Sequence, residues 1–565
     1  MGQARHIRIG VTGHRQARLA GIDPAELEAR IGALFDAVGA AMGEGARIEI
    51  VTCLAEGADS IAARCAMARG WPFEVVLPFP AEIYAKDFAD GPARERFDVE
   101  LAAAHRTFAL DCAREGEDAA TLAYERAGRV VLAQCDILVG VWDGGPARGR
   151  GGTSQVITEA VAADIPVLHL DPRGNTPAQV LWSGLNAHDL GEESVESVAR
   201  APIERLGEVV TALPGLGAEP PDIAEARLRP RMARLLGWPY RALLAVTRAR
   251  SAALRAATDA APVLAASAFA AQFARADRQA NEAAGVFRGA YVANFALAAL
   301  SVQVSLSGLL LPLALKPVLL GSELVMIGTI LAITLFGNRR NWHRRWIEQR
   351  QLAERLRCLA ITTRLGNLDL RTHGVGTSWA VQSEVCVLAR SIGLPDRSAD
   401  AAWLGSVRED LLAMVADQRG YFAREAETMH RLDHRLHRAG TFLFACTALV
   451  CIGFLGIEAA QRLTGLHLTE GALRNAALLV TVAAAAFPTL GAAIYGIRMQ
   501  GDFAGVAERG HAMEAQLAAL HAAIASDPAE FDTLLTRTRR ATTLLTEDLD
   551  RWTHAYHARP LVLPG

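Results

Sequence analysis

The chain carries eight cysteines (Cys53, Cys65, Cys112, Cys135, Cys358, Cys386, Cys446 and Cys451) without one CxxC pair or a cysteine–histidine cluster. That scatter argues against a zinc site and a disulfide framework, and four thiols within the first 140 residues fit a reducing cytosol. The N-terminus lacks the basic start and apolar run of a signal peptide, so none is expected. A large charge of one sign is also missing: the net charge of −3 points to no polyanionic partner. Apolar residues are abundant, 51% of the chain with a mean hydropathy of +0.18, beside 21% charged residues. That balance implies a soluble part joined to a membrane part, and 565 residues allow about three or four domains.

Four windows are apolar enough to span lipid, in two close pairs: residues 289–315 with 317–337, and 440–460 with 475–497. A span needs about 20 mainly apolar residues, and each window meets this. Four buried core helices of a large soluble domain are the alternative. Arg275, Arg278 and Arg288 precede the first window, and Arg339, Arg340, Arg344 and Arg345 follow the second. Arg431, Arg435 and Arg438 precede the third, and Arg498 follows the fourth. The tips between paired windows offer only Lys316, Arg462 and Arg474, so the positive-inside rule puts both tips outside and both termini in the cytosol. Glu323 and Glu458 sit near window ends, and an ion path needs charges further in, so a pump is not expected.

Helical patterns flank the windows. Phe503, Val506, Gly510, Met513, Leu517 and Leu520 form a heptad seam that predicts helix pairing, and Phe422, Ala426, Met429, Leu432 and Leu436 form a similar stripe. Trp342 and Trp346, one helical turn apart in an arginine-rich stretch, read as interfacial anchors.

Residues 1–172 differ. Five apolar runs, within RHIRIGV, ARIEIVT, PFEVVLPFP, CDILVGV and PVLHL, alternate with helical stretches. That order predicts an α/β domain whose parallel sheet is covered on both faces, with ligands at the carboxyl ends of the strands. Three turns fall at those ends. The first is Thr12, Gly13, His14 and Arg15; the second is Glu56, Gly57, Ala58 and Asp59; the third runs from Asp143 to Gly151, Gly152 and Thr153. Glycine lets backbone approach a phosphate, and the free amides of a helix start attract anions. Thr153 is expected to cap its helix and to donate to a phosphate oxygen. Arg15 reads equally as a forked phosphate contact or as a solvated arginine at a helix start. Taken together the turns predict a nucleotide pocket.

The ordered set IGVTGHR, LAEGADSIAARCA, VVLPFP, CDILVGVWDG and GRGGTSQVITEA resembles the SLOG superfamily. That superfamily unites the DNA-processing protein A fold with the Lonely Guy cytokinin-activating hydrolases. The resemblance covers nearly all of residues 5–172 and implies a Rossmann-like fold that binds a nucleotide or nucleotide-derived signal. It carries over Gly13, Gly57, Ala58, Asp59, Gly151, Gly152 and Thr153. The hydrolases follow their Gly-Thr with a close Glu pair, whereas Ser154, Gln155 and Val156 stand here and the nearest acid is Glu159. Glycosidic cleavage needs a carboxylate within hydrogen-bond reach; Glu56, Asp59 or Asp143 are left for that role, and binding without turnover is favoured. No metal or resident cofactor is expected. Residues 1–171 hold 17 Lys and Arg against 25 Asp and Glu, a net −8, so nucleic acid is not expected as a partner.

The two paired windows repeat one plan: basic helix, hairpin, long charged helix. That plan resembles the SLATT family of two-span bacterial effector domains, over residues 275–365 and more loosely 425–525. It implies a membrane-perturbing or pore-forming homo-oligomer at a bacterial inner membrane, controlled by an attached sensor in antiphage conflict. The expected division is a sensor at 1–172, a loop-rich connection and helical stalk at 173–274, a first two-span unit at 275–400, and a second with C-terminal cytosolic helices at 401–565. The fold expected for the second half is an all-α membrane domain with four transmembrane helices. A membrane-tethered nucleotide hydrolase is the runner-up, and a scaffold with anchoring spans is a third reading.

Overall fold

Strand β2 (Arg47–Thr52) shows why a sheet forms: Ile48 and Ile50 are buried on one face, and Glu49 and Val51 on the other. Burial on both faces is typical of a parallel strand sandwiched by helices. The computed structural model describes residues 5–89, 91–112, 114, 116–146, 151–185, 194–217, 230–249, 262–368, 370, 377–464, 469–556, 561 and 563. Among these, β1 (His6–Gly13), β2, β3 (Phe73–Leu77), β4 (Arg106–Leu110), β5 (Ile137–Val141), β6 (Val167–Leu170), β7 (Gln179–Leu181), β8 (Arg200–Pro202) and β9 (Arg397–Ala399) form one sheet. Its order is β8-β7-β6-β5-β1-β2-β3-β4-β9, parallel except for the antiparallel β7 and β8.

The five expected strands are present, and four more join them. Strand β4 begins with Arg106 and Thr107 and buries only Phe108, Ala109 and Leu110, too short a run to signal a strand. The three-residue β7 and β8 lie in the stretch read as loop-rich. Strand β9 comes from the end of the stretch assigned to the first two-span unit, and it pairs in parallel with β4.

Helices α1 (Pro24–Met42), α2 (Ala58–Ala68), α3 (Ala81–Tyr84), α4 (Pro92–Ala103), α5 (Glu117–Gln134), α6 (Thr153–Ala162) and α7 (Leu206–Ala212) belong to the sheet region. Ile31 and Phe35 of α1, Ile61 of α2 and Val209 of α7 share one core with Ile48, Ile50 and Val75. The rest is helical: α8 (Pro230–Leu236), α9 (Trp238–Val246), α10 (Pro262–Ala265), α11 (Ala270–Ser307), α12 (Lys316–Arg339), α13 (Trp342–Thr362), α14 (Trp379–Arg390), α15 (Ala401–Thr464), α16 (Glu470–Gly501), α17 (Phe503–Ser526) and α18 (Phe531–Tyr556).

Among the described residues, four helical runs are long and apolar enough to cross a membrane: α11, α12, α15, and α16 continuing into α17. Their apolar windows are 39%, 17%, 0% and 6% buried, so large apolar faces stand open. Exposed apolar area of this size suits lipid rather than water.

The heptad seam of α17 is consumed within the chain. Phe503, Gly510, Met513, Leu517 and Leu520 are buried, and α17 packs along α15. A Cβ on Gly510 would sit 2.9 Å from the Ala426 Cβ, so glycine sets this close crossing. Trp342 departs from the expected anchor: it is 2% exposed, packed against Phe336 and the backbone of Gly337. The expected stalk is folded back where described, with α8 and α9 on α11; a Cβ on Gly289 would lie 1.9 Å from the Leu236 carbonyl oxygen.

Sheet and helices share a core. Val51, Val76 and Phe108 cluster with Ile361 of α13, Leu404 and Met414 of α15, Leu517 of α17 and Phe531 of α18. At the amino ends of the strands, charges reinforce the joint. Fully buried Arg8 reaches Glu49 at 2.5 Å, Glu74 at 2.6 Å and the Gln134 side chain at 2.8 Å. Glu74 also accepts from the Leu394 amide at 2.8 Å, and Gln134 donates to the Gly366 carbonyl at 2.7 Å. Arg390 of α14 grips Asp136 through Nε and Nη2 at 3.0 and 2.9 Å and donates to the Pro214 carbonyl at 2.7 Å. Burial would raise the Glu49 pKa, but His6 and Arg8 hold it well below the ordinary carboxylate range.

Candidate functional site

The carboxyl edge of the sheet is built from the first two turns, zipped together. The Gln16 amide donates to the Glu56 carbonyl at 2.8 Å, the Ala58 amide to the His14 carbonyl at 3.2 Å, and Arg15 bridges Gly57. Glycine is required on both sides. A Cβ on Gly13 would lie 2.3 Å from that of Ala58, and one on Gly57, at φ +127°, would lie 2.6 Å from the His14 carbonyl oxygen. Turn-to-turn packing is therefore the local reason for both glycines, and the Ala58 amide is spent on backbone.

His14 is 2% exposed; its amide donates to the Val141 carbonyl at 3.1 Å, and its Nε2 lies 2.9 Å from Asp143 Oδ1. Burial would raise the Asp143 carboxyl, but His14 and the Gly145 amide hold it below its ordinary range. Thr12 is the last residue but one of β1, and the Glu56 side chain is one-third exposed, 4.0 Å from Arg96.

Arg15 points to a cluster that sequence reasoning missed. Its guanidinium lies 4.5 Å from the centre of the Tyr124 ring, with Nη1 3.9 Å from Asp87. Tyr124 hydrogen-bonds Asp87, and Arg114 closes on the same carboxylate at 2.5 Å. Half of the Arg15 side chain stays exposed. Behind it Asp59 is 5% exposed, and burial pushes its carboxyl up to about 7, against the Ala55 amide, the Thr52 hydroxyl and the Arg15 charge. Burial also pushes the Cys53 thiol and the Tyr84 phenol up. The missed residues follow β3, in PAEIYAKDF, follow β4, at Arg114, or stand on α5, at Tyr124. Their usable signal was position: the loop after a third parallel strand lies at the same edge.

Residues 147–150 of the third turn lie outside the described residues. Gly151, at φ +74°, presses on α5: a Cβ there would sit 2.8 Å from the Glu125 amide nitrogen and 3.2 Å from the Thr121 carbonyl oxygen. Tyr124 belongs to that same stretch of α5, so the helix links Gly151 to the Arg15 cluster. Gly152 is the N-cap of α6 and Thr153 its first residue, with no side-chain cap; the expected threonine cap is replaced by the Gln155 side chain accepting from the Gly151 amide at 2.7 Å. Glu159 is held elsewhere. It pairs through both oxygens with Arg129 of α5, at 3.0 and 3.1 Å, and accepts from Gln155 at 2.9 Å.

The arrangement offers a half-exposed arginine, a second arginine tied to Asp87, and a carboxyl able to change charge near neutral pH. Those groups suit an anionic ligand with hydrogen-bonding substituents. Among the described residues, no three His, Cys, Asp or Glu side chains gather as a metal site would need. Comparison of the chain with family models, curated proteins and solved structures found no match.

Proposed function

We propose that the chain is a membrane-bound sensor-effector: a nucleotide-derived signal binds at the carboxyl edge of the sheet, and the membrane helices respond by changing bilayer permeability. One observation carries this reading. The half-exposed Arg15 stands at two zipped glycine-bearing turns, with α5 linking it to Gly151 of the third, on a sheet whose core is shared with helices that continue into membrane-length spans. A ligand shifts such a body only through different affinity for its two states.

The finer reading follows the resemblances. The N-terminal region is a SLOG-like sensor, the spans form two SLATT-like hairpins with both termini cytosolic, and the assembly is a homo-oligomer at a bacterial inner membrane serving antiphage defence. Nucleic acid is not the ligand.

A hydrolase is the second reading, favoured by Asp59, which titrates near 7 at this edge as an acid–base group would. Binding and turnover separate the two. The detergent-purified full chain is incubated with nucleotides, cyclic oligonucleotides and ADP-ribose derivatives, followed by calorimetry and chromatography. Saturable binding with intact ligand is the expected result. Release of free base or ribose phosphate would replace the sensor with the enzyme, and no binding by any compound would leave a scaffold.

A further inference from the structure

A cleft of about 630 Å³ opens where α5 and the end of α6 face α18, beside Thr362, Asn367 and Leu370. Its size falls within the roughly 300–1,000 Å³ of small-molecule sites. The sheet-side wall is apolar, with Leu132 and Ile165, and the α18 wall carries Arg539, Thr542, Thr543 and Thr546.

The charges balance in sum, two arginines against two carboxylates, but not pair by pair. At the rim, Arg129 is neutralised by both oxygens of Glu159 and by Glu125 at 2.7 Å. Burial would raise the Glu159 carboxyl, but hydrogen bonds from Arg129 and Gln155 hold it below its ordinary range, so it stays ionised as Arg129's partner. Arg539 has no ion-pair partner among the described residues and reaches Glu159 only through space. The hydroxyls of Thr542 and Thr546 donate to carbonyls of their own helix at 2.9 Å each. One turn earlier, the Thr538 hydroxyl is buried without a partner, so this face of α18 is short of hydrogen-bond partners. The cleft thus joins one arginine without a direct ion pair among the described residues and a row of hydroxyls to an apolar wall.

We propose that this cleft binds a nucleotide-sized organic phosphate, with the phosphate on Arg539 and Thr543 and the apolar body against Leu132 and Ile165. The site is separate from the Arg15 cluster. Because its walls come from the sheet region and from α18, an occupant clasps the two together, and binding favours the docked position of that helix.

The test uses the detergent-purified full chain carrying Arg15→Ala, so that the carboxyl-edge site is disabled. AMP and glycerol 3-phosphate are the probes, with equilibrium dialysis for affinity and amide hydrogen exchange along α18 for docking. AMP is expected to bind and to slow exchange in α18. Arg539→Glu and the cleft-filling Thr543→Trp are each expected to weaken binding by about tenfold or more, as loss of a charge-assisted contact or of the space itself requires. Arg539 is exposed, so its variant folds even where the tryptophan does not. AMP affinity unchanged by Arg539→Glu would overturn the proposal. So would failure of both probes to bind at millimolar concentration. Either failure leaves the carboxyl-edge reading intact, because that reading is tested on Arg15.

Discussion

The two edges of the sheet use arginine in opposite ways. At the amino edge, Arg8 and Arg390 are almost completely buried and bonded to carboxylates and carbonyls, and Arg390 of the helical region reaches Asp136 and Pro214, 254 and 176 residues earlier. At the carboxyl edge, Arg15 lies over a tyrosine ring, half exposed and loosely paired. A buried ion pair loses much when one partner goes, because the other stays charged in a dry site. A half-exposed arginine loses little and remains open to a ligand. Under the proposed function, joining falls to one edge and recognition to the other.

The largest break is expected at the amino edge. Arg390→Met strands Asp136 and should cost about 3–5 kcal/mol, read as a lower melting temperature of the detergent-solubilised chain. Adding Asp136→Asn should recover part of that loss, and additive losses would show that the two residues do not act as a pair.

Asp59 probes the recognition edge through pH. Its folded-state pKa of about 7 lies above the ordinary 3.8, so the native state keeps a proton that the unfolded chain has lost. Stability therefore falls as pH rises between those values, by roughly 1.4 kcal/mol per unit, and stays low above them. Relative to wild type, Asp59→Asn should gain roughly 2–3 kcal/mol between pH 5 and pH 7. Parallel melting curves for the two proteins across that range would remove Asp59 as a titrating group.

Gly57→Ala follows, at roughly 1–3 kcal/mol, because a Cβ meets the His14 carbonyl at a backbone angle that favours glycine. A denaturant midpoint unchanged from wild type would contradict the zipped turns. Arg15→Ala should be the mildest to stability, about 0.5–1 kcal/mol for the lost ring contact, while abolishing ligand binding in calorimetry. A large loss of stability with binding retained would invert the assignment of the two edges.

The legibility of the chain followed the length of its patterns. Long β-branched runs exposed five strands, and apolar windows exposed four membrane-length helices. Strand β9 was hidden because three residues hold no period and its partner lies almost 290 positions earlier. The glycines were found, but their reason was not: Gly13 and Gly57 serve one another's turns, a contact that exists only after folding. Tyr84, Asp87 and Tyr124 escaped because no motif marks a residue whose importance comes from the arginine opposite. Glu159 sat near the right motif, yet helix α6 turns it toward Arg129. The seam of α17 was legible as a helix pair, while its partner inside the same chain was not.

The central claim is that a signal read at one edge reaches the membrane through the joint at the other. Dye leakage from liposomes carrying the full chain tests it most directly, with the nucleotide-derived ligand found by calorimetry. Leakage should rise with that ligand in wild type and stay at baseline in Arg15→Ala. A flat trace at saturating ligand in wild type would contradict the account.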